Sequence, residues 1–352
     1  MKYIVLIIGM VAVLLISCNR NELFEREQYK AVVAIKSSDN NFFTQILDLN
    51  TQDEVGFVKG FISANVGGSL PTKEKIVITM TEDPDMLNTY NLYNFETDAR
   101  KYYRFLPKNR YKIPEMKITV LAGQNAGYMP IWINANGLSP DSIYIIPFRV
   151  VSCSAYEMNP EKSFVYYRIE RRNNWSYTTV NGTTLAAPTY QQRGRFTASQ
   201  ADYNNMLSWL ENPTPVKPNT TQTVITKDVY LVSHNELRVL GHNRSGVETG
   251  QDPAVDFPRY SINIRIENDG KLTITPWRED HIAGIELLQQ VDDDNFDPNN
   301  RYLNTYELIT DDWGFKFHVF RLCYDYIDFG TTISRRMWEE LRLEYVEDLT
   351  KK

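Results

Sequence analysis

The chain is poor in the side chains that do most chemistry. Its 352 residues hold four histidines and three cysteines. It has no G-x-S-x-G elbow, no H-E-x-x-H helix, no Walker loop and no dinucleotide fingerprint. Serine-hydrolase, zincin and nucleotide-driven chemistries therefore have no motif to rest on. The expectation is a protein that is not an enzyme and carries no cofactor. One hydrolytic alternative stays open. A glycosidase needs two carboxylates at a set separation in space, and 44 acidic residues in a linear string do not reveal such a pair. Blocks of Lys and Arg are also missing and the formal charge is −6, so no electrostatic footprint for nucleic acid exists. Disorder is excluded by a 42% hydrophobic content.

The few cysteines divide by context. Cys153 and Cys323 lie in strand-like stretches, Val150–Cys153 and Arg321–Tyr324. A disulfide between them would have to join two domains, so two buried free thiols are expected, with the bridge as the alternative. Cys18 closes a different kind of segment. Lys2 supplies a positive start, Tyr3 to Ile16 is apolar apart from Gly9, and Leu15-Ile16-Ser17-Cys18 has the pattern of a bacterial lipobox. The run is short for a membrane span and has the wrong flanks. Cleavage before Cys18 would leave it as the lipidated first residue. The alternative is an ordinary secretory signal or an anchor helix. The polar stretch after it holds Glu22, Glu25 and Glu27, interrupted by Arg26. It reads as a tether and loosely resembles a Bacteroides surface-export signal.

What the chain has in quantity is aromatics: 22 Tyr, 16 Phe and 6 Trp. With many Val, Ile and Thr they favour strands. Expected strands between residues 29 and 172 are Ala31–Ile35, Val55–Val66, Lys75–Met80, Lys117–Leu121, Met129–Asn134, Tyr144–Val151 and Ser163–Glu170. Asp85–Ala99 reads as a short helix or structured loop. Arg171-Arg172-Asn173-Asn174 reads as a polar break. Beyond it, strands are expected at Gln191–Thr197, Thr223–Ile225, Val229–Val232, Glu236–Leu240, Tyr260–Glu267, Lys271–Thr275, Gly284–Leu288, Tyr302–Leu308 and Phe315–Tyr326. Ile262, Ile264 and Ile266 alternate with Asn263, Arg265 and Glu267, and Asn268-Asp269-Gly270 is a hairpin signal. Ile333–Tyr345 fits strand or helix. Tyr203, Met206, Leu207 and Leu210 share one face of a helix over Ser199–Leu210.

Two sets of residues carry a resemblance. Tyr102–Pro107, Tyr111, Lys117–Gly123 and Tyr144–Val150 resemble the N-terminal domains of surface lipoproteins from Bacteroides polysaccharide-utilisation loci, domains also fused ahead of family-18 endoglycosidases. Asn295–Asn300 and Phe320–Tyr326 resemble the C-terminal domains of the same group. The resemblance implies a mainly all-β chain: an immunoglobulin-like β-sandwich, then an antiparallel β-barrel or sandwich domain carrying one helix. The expected divisions are a signal peptide over 1–17, a lipidated tether over 18–28, and domains over 29–172 and 173–352. It implies an outer-membrane, surface-exposed lipoprotein that binds a glycan beside Sus-type transporter components. A structural or adhesive protein is the alternative.

Candidate site residues follow from sugar chemistry. An exposed ring stacks on pyranose C–H surfaces while neighbouring polar groups take the hydroxyls. Trp277 with Arg278, Trp313 with Asp312, and Trp175 have that company; Trp132, Trp209 and Trp338 sit in apolar patterns and read as packing. Asp292, Asp294 and Asp297 form a weak calcium candidate that lacks the glycine and closing glutamate of an EF-hand loop. Asp141-Ser142-Ile143 resembles a Bacteroides O-glycosylation sequon at Ser142. His234 and His242 could flank one strand, and surface positions are expected for both.

Overall fold

The computed structural model describes residues 28–175, 177–178, 189–196, 221–241, 261–277, 286–292, 303–327 and 334–344. Cys18, the tether and the helix expected over Ser199–Leu210 lie outside these residues.

The first sheet has twelve strands. They are β1 (Val32–Ile35), β2 (Phe42–Asp48), β3 (Val58–Gly67), β4 (Ile76–Glu82), β5 (Arg104–Phe105), β6 (Tyr111–Lys112), β7 (Lys117–Val120), β8 (Ala126–Ile133), β9 (Tyr144–Cys153), β10 (Glu157–Met158), β11 (Phe164–Arg172) and β12 (Tyr177–Thr178). Their order is β10-β1-β3-β8-β7-β4-β9-β11-β12, with β2 on β11, β5 on β9 and β6 on β8. The β1/β10, β2/β11 and β5/β9 ladders are parallel, so the sheet is mixed. Arg171 and Arg172, read from sequence as a break, are the last residues of β11.

Side-chain alternation makes these strands. In β3, Val58, Ile62, Ala64 and Val66 face the core while Lys59, Phe61 and Asn65 face out. In β8, Met129, Ile131 and Ile133 face in. Each fully buried Ile or Leu contributes about 1.5–3 kcal/mol. Gly127 is required where β7 leans on β8, because a Cβ there would stand 2.2 Å from the Thr119 carbonyl oxygen.

Helix α1 (Pro84–Phe95) confirms the sequence expectation of a short helix after β4. The Asp83 side chain accepts from the Met86 N–H at 3.3 Å and Pro84 opens the first turn. The helix brings Met86, Leu87 and Tyr90 into a second cluster with Phe42, Tyr103, Ile145 and Tyr166. That covers the outer side of β9 and β11. Val165, Tyr166 and Tyr167 are consequently buried in succession, as in a strand with both faces covered.

The second sheet has nine strands. They are β13 (Thr189–Phe196), β14 (Thr221–Ser233), β15 (Glu236–Leu240), β16 (Ser261–Ile266), β17 (Leu272–Pro276), β18 (Glu286–Gln290), β19 (Thr305–Thr310), β20 (Lys316–Ile327) and β21 (Ser334–Glu344). Every ladder described in it is antiparallel. The two segments expected around residues 223–232 form one long strand, and the ambiguous last segment is a strand. Gly270 takes φ +80° in the expected hairpin turn. The ends of the sheet meet. Leu272 N–H donates to Asn304 O at 2.7 Å, and Tyr306 N–H to Gly270 O at 2.7 Å. The Gln290 amide bridges to Ile274 N–H and Leu272 O at 2.6 and 3.0 Å, closing the barrel. Cys323 is buried, Cys153 half-buried, and both thiols are free.

A buried guanidinium joins the two halves. Arg171 donates to the carbonyls of Ala135 and Leu138 in the first half at 3.1 and 2.8 Å, and of Val232 in the second at 3.5 Å. Burial lowers its pKa to about 10, which still leaves it charged at neutral pH. Beside it Gly137 N–H reaches Val232 O, and Asn136 Oδ1 accepts from His234 N–H. Arg238 grips Asp141 through two bonds of 2.6 and 2.8 Å.

The barrel also encloses an ion pair. Lys227 Nζ lies 2.7 Å from Glu339 Oε2 and 2.7 Å from Leu240 O, and Tyr324 donates its hydroxyl to Glu339 at 2.9 Å. Removing one partner strands a charge in the interior, whereas replacing both removes the desolvation cost. Lys227→Met should therefore lower urea stability by about 3 kcal/mol, and Lys227→Met with Glu339→Leu should recover most of it. Equal losses in the single and double variants would contradict this account.

His318 supplies a pH dependence. It is buried, its Nδ1 lies 3.0 Å from the Tyr306 hydroxyl, and burial pushes its pKa from 6.5 down to about 4. The unfolded chain gains a proton below pH 6.5, while the folded chain gains it only near pH 4. Stability present at pH 7 is therefore lost as the pH falls through that window. Between pH 7 and 4.5 the native chain should lose on the order of 1–2 kcal/mol more than His318→Gln. Parallel losses in urea titrations would rule the imidazole out.

Candidate functional site

The tryptophans singled out by sequence fall into different surroundings. Trp175 is half-buried and meets Tyr306 edge-on, with ring centroids 5.4 Å apart. Its backbone N–H is held by Asn173 Oδ1 at 2.9 Å. Trp277 is also half-buried, with the Arg238 guanidinium 5.2 Å from its ring centre. The same guanidinium lies 4.9 Å from the Tyr230 ring, so Trp277 belongs to the packing around the Arg238–Asp141 pair. Trp313 is 87% exposed at the tip of the β19–β20 hairpin, beside exposed Asp312. Asp311 shapes that tip by accepting from Trp313 and Phe315 N–H at 3.0 and 2.8 Å, and Gly314 takes φ +86°. Phe315 and Leu308 are exposed nearby on the same hairpin. Arg278 lies outside the described residues. The structure thus brings Trp313 and Asp312 together on an open surface and does not bring Trp175 or Trp277 to them.

The remaining candidates are placed as follows. Asp292 is exposed and accepts from the Asn304 side chain at 3.2 Å, while Asp294 and Asp297 lie outside the described residues. Among the described residues no group of three His, Cys, Asp or Glu side chains could hold a metal ion. His234 is exposed, and His242 and His281 lie outside. Ser142, the O-glycosylation candidate, is buried in the folded chain. It is only 9% exposed, and the preceding Asp141 carboxylate is engaged by Arg238. A sugar on that hydroxyl would have to displace packed neighbours.

A site that sequence reasoning missed lies on the outer face of the first sheet. Lys59, Gly60, Phe61 and Ser63 of β3 and Ala126, Gly127 and Tyr128 of β8 line an open groove of about 390 Å³. Ser63 pairs directly with Tyr128 and Phe61 with Pro130, so side chains that line it come from adjacent strands. Tyr128 is 64% and Phe61 44% exposed. Phe61 is braced from behind by Phe43, with ring centroids 6.0 Å apart. At Gly60 a Cβ would stand 2.4 Å from the Tyr167 hydroxyl, so only glycine fits beside that buried ring.

One end of the groove is bordered by cations. Lys59 and Lys112 each pair across strands with Trp132, one from β3 and one from β6. Lys59 Nζ lies 5.7 Å from the Trp132 ring centre, and Lys112 Nζ 4.2 Å from that of Phe57. Trp132 read from sequence as packing, but it faces outward and is half-exposed. The combination offers open ring surfaces, a hydroxyl from Ser63 and ammonium donors on a rigid support. It suits a flat ligand with C–H faces and polar edges.

Comparison with known proteins adds the following. A family model described as an N-terminal domain matches residues 26–157, and one described as a C-terminal domain matches residues 163–342. No curated protein matches the chain. Among solved structures, one of unknown function from Bacteroides ovatus shares 17% identity at a TM-score of 0.57, covering 91% of this chain and 99% of that one. A multidomain protein including DUF1735 from Bacteroides ovatus shares 17% identity at 0.55, covering 90% and 95%. An auxiliary nutrient binding protein from Bacteroides thetaiotaomicron shares 15% identity at 0.51, covering 88% and 92%. At these identities the likeness is one of fold. With both models matched in order, the chain belongs to the Bacteroides-type family of two-domain proteins built from this N-terminal and this C-terminal domain.

Proposed function

We propose that this chain is a non-catalytic glycan-binding protein, anchored at the outer membrane through a lipid on Cys18 and displayed at the cell surface beside a Sus-type importer. In this reading residues 18–28 form the tether, and the chain divides near residues 172 and 173. The observation that carries it is the open groove between β3 and β8, where Phe61 and Tyr128 hold exposed rings beside Ser63 and Lys59. Rings fixed on a sheet lose little freedom when a sugar stacks on them. The shared fold with an auxiliary nutrient binding protein supports the same reading. Capture at a surface also suits weak individual sites, because many tethered copies act on one polymer.

A second reading, contact with another protein, is favoured by the hairpin tip, where Trp313, Phe315 and Leu308 are exposed together. Affinity electrophoresis against a panel of neutral and acidic polysaccharides separates the two. Under the glycan reading at least one polymer retards the chain, and Phe61→Ala or Tyr128→Ala weakens retardation by roughly three- to tenfold. Retardation lost only on Trp313→Ala would move the site to the hairpin tip. Absence of retardation throughout, with an envelope protein co-purifying until Trp313→Ala removes it, would favour the protein contact. Release of reducing ends by the purified chain would overturn the non-catalytic assignment.

A further inference from the structure

We infer that the β3–β8 groove selects an anionic saccharide, one bearing carboxylates or sulfates, over a neutral one; this rests on the groove being the glycan site. The ground is an imbalance of charge on the outer face of the first sheet. Some exposed cations of the first half are neutralised by carboxylates: Lys30 by Glu157, Lys108 by Glu82, and Arg149 by Asp83 at 2.6 Å. Lys59 and Lys112 are different. Among the described residues neither forms an ion pair, and each is held over an aromatic ring instead. Lys117 on β7 is exposed and likewise has no ion pair among them. Lys59 therefore lines the groove with its charge uncompensated, and Lys112 and Lys117 add further unpaired ammonium groups on the neighbouring strands β6 and β7, in a chain whose formal charge is −6.

Geometry turns that imbalance into a specificity. Lys59 and Lys112 lie on the strands either side of β8, each opposite Trp132. Neighbouring strands are about 4.8 Å apart, which sets their backbones about 10 Å from each other across the ring. Held against rings, the ammonium groups keep fixed positions with donors free for a ligand. A neutral sugar would use the rings of Phe61, Tyr128 and Trp132 and leave these charges idle. A sugar with an anionic substituent stacks in the same way and adds charge-assisted hydrogen bonds, the stronger class. Two separated cations suit a polymer with more than one anion along its length.

Matched polymers test this with the purified chain. Polygalacturonate is compared with its fully methyl-esterified form, and dextran sulfate with dextran, so that backbone is constant and only charge changes. The expected result is retardation by one or both anionic members and not by their neutral partners. Lys59→Gln and Lys112→Gln should each weaken it about threefold, Lys59→Arg should restore it, and rising NaCl should weaken it further. Which anionic member binds distinguishes carboxylate from sulfate. Retardation that survives Phe61→Ala with Tyr128→Ala would be unspecific polyanion binding and would overturn the inference. Retardation by a neutral polymer, lost on Phe61→Ala and indifferent to the lysines, would also overturn it while leaving the glycan site standing. If no polymer retards the chain, both fall. All three lysines are exposed, so unchanged thermal unfolding of the variants is the control for folding.

Discussion

The structure turns on one buried cation. Arg171 is the penultimate residue of β11, has no carboxylate partner among the described residues, and spends its charge on backbone carbonyls from both halves. Burying a guanidinium is costly unless its donors are met, and a carbonyl cluster meets them only if both halves are in place. The halves are therefore coupled by hydrogen-bond satisfaction as well as by apolar contact. Arg238 repeats the device from the other side, reaching from β15 to Asp141. The hydrophobic cluster then runs without a break from Val33 in the first sheet to Leu341 in the second.

That junction also decides which aromatics are free. Trp277 is drawn into the packing around Arg238, and Trp175 onto Tyr306, whose hydroxyl meets buried His318. A ring used as an internal brace has less open surface for a ligand. Open rings arise where a strand alternates over a core with nothing covering its second face, as at Phe61, Tyr128 and Trp132. The opposite case is β11, where α1 covers the outer side and Tyr166 and Tyr167 are both buried. Whether an outward aromatic is a platform or a packing residue thus depends on what lies above it.

Much of the fold could be read from sequence, for identifiable reasons. β3, β4, β8, β9 and β16 carry a period-two pattern or an apolar run between turn residues. Gly270 marks its hairpin because a positive φ is needed there. β2 went unread because Phe42–Asp48 is half-exposed along most of its length and pairs in parallel with β11, without a hairpin to announce it. β14 was divided because Lys227 and Asp228 interrupt its apolar pattern, yet Lys227 is buried against Glu339. A polar residue breaks a sequence pattern whether or not its partner is waiting across the barrel.

The site divides along the same line. Trp313 and Asp312 were legible because a turn with a glycine two residues from an acid pushes its tip into solvent regardless of the rest of the chain. Phe61 and Tyr128 were not, because they lie far apart in sequence and meet only through the antiparallel register of β3 and β8. The bracketing of Trp132 by Lys59 and Lys112 is likewise a product of pairing between three strands. The burial of Ser142 beside an apparent sequon was equally invisible, since burial is set by neighbours the tripeptide does not contain. Local chemistry, meaning propensity, alternation, turns and caps, is written residue by residue, and by itself it determined an all-β chain in two parts. Which rings stay open, and which lysines stay unpaired beside them, was decided only by the tertiary structure, because exposure and charge balance are properties of contacts between distant segments.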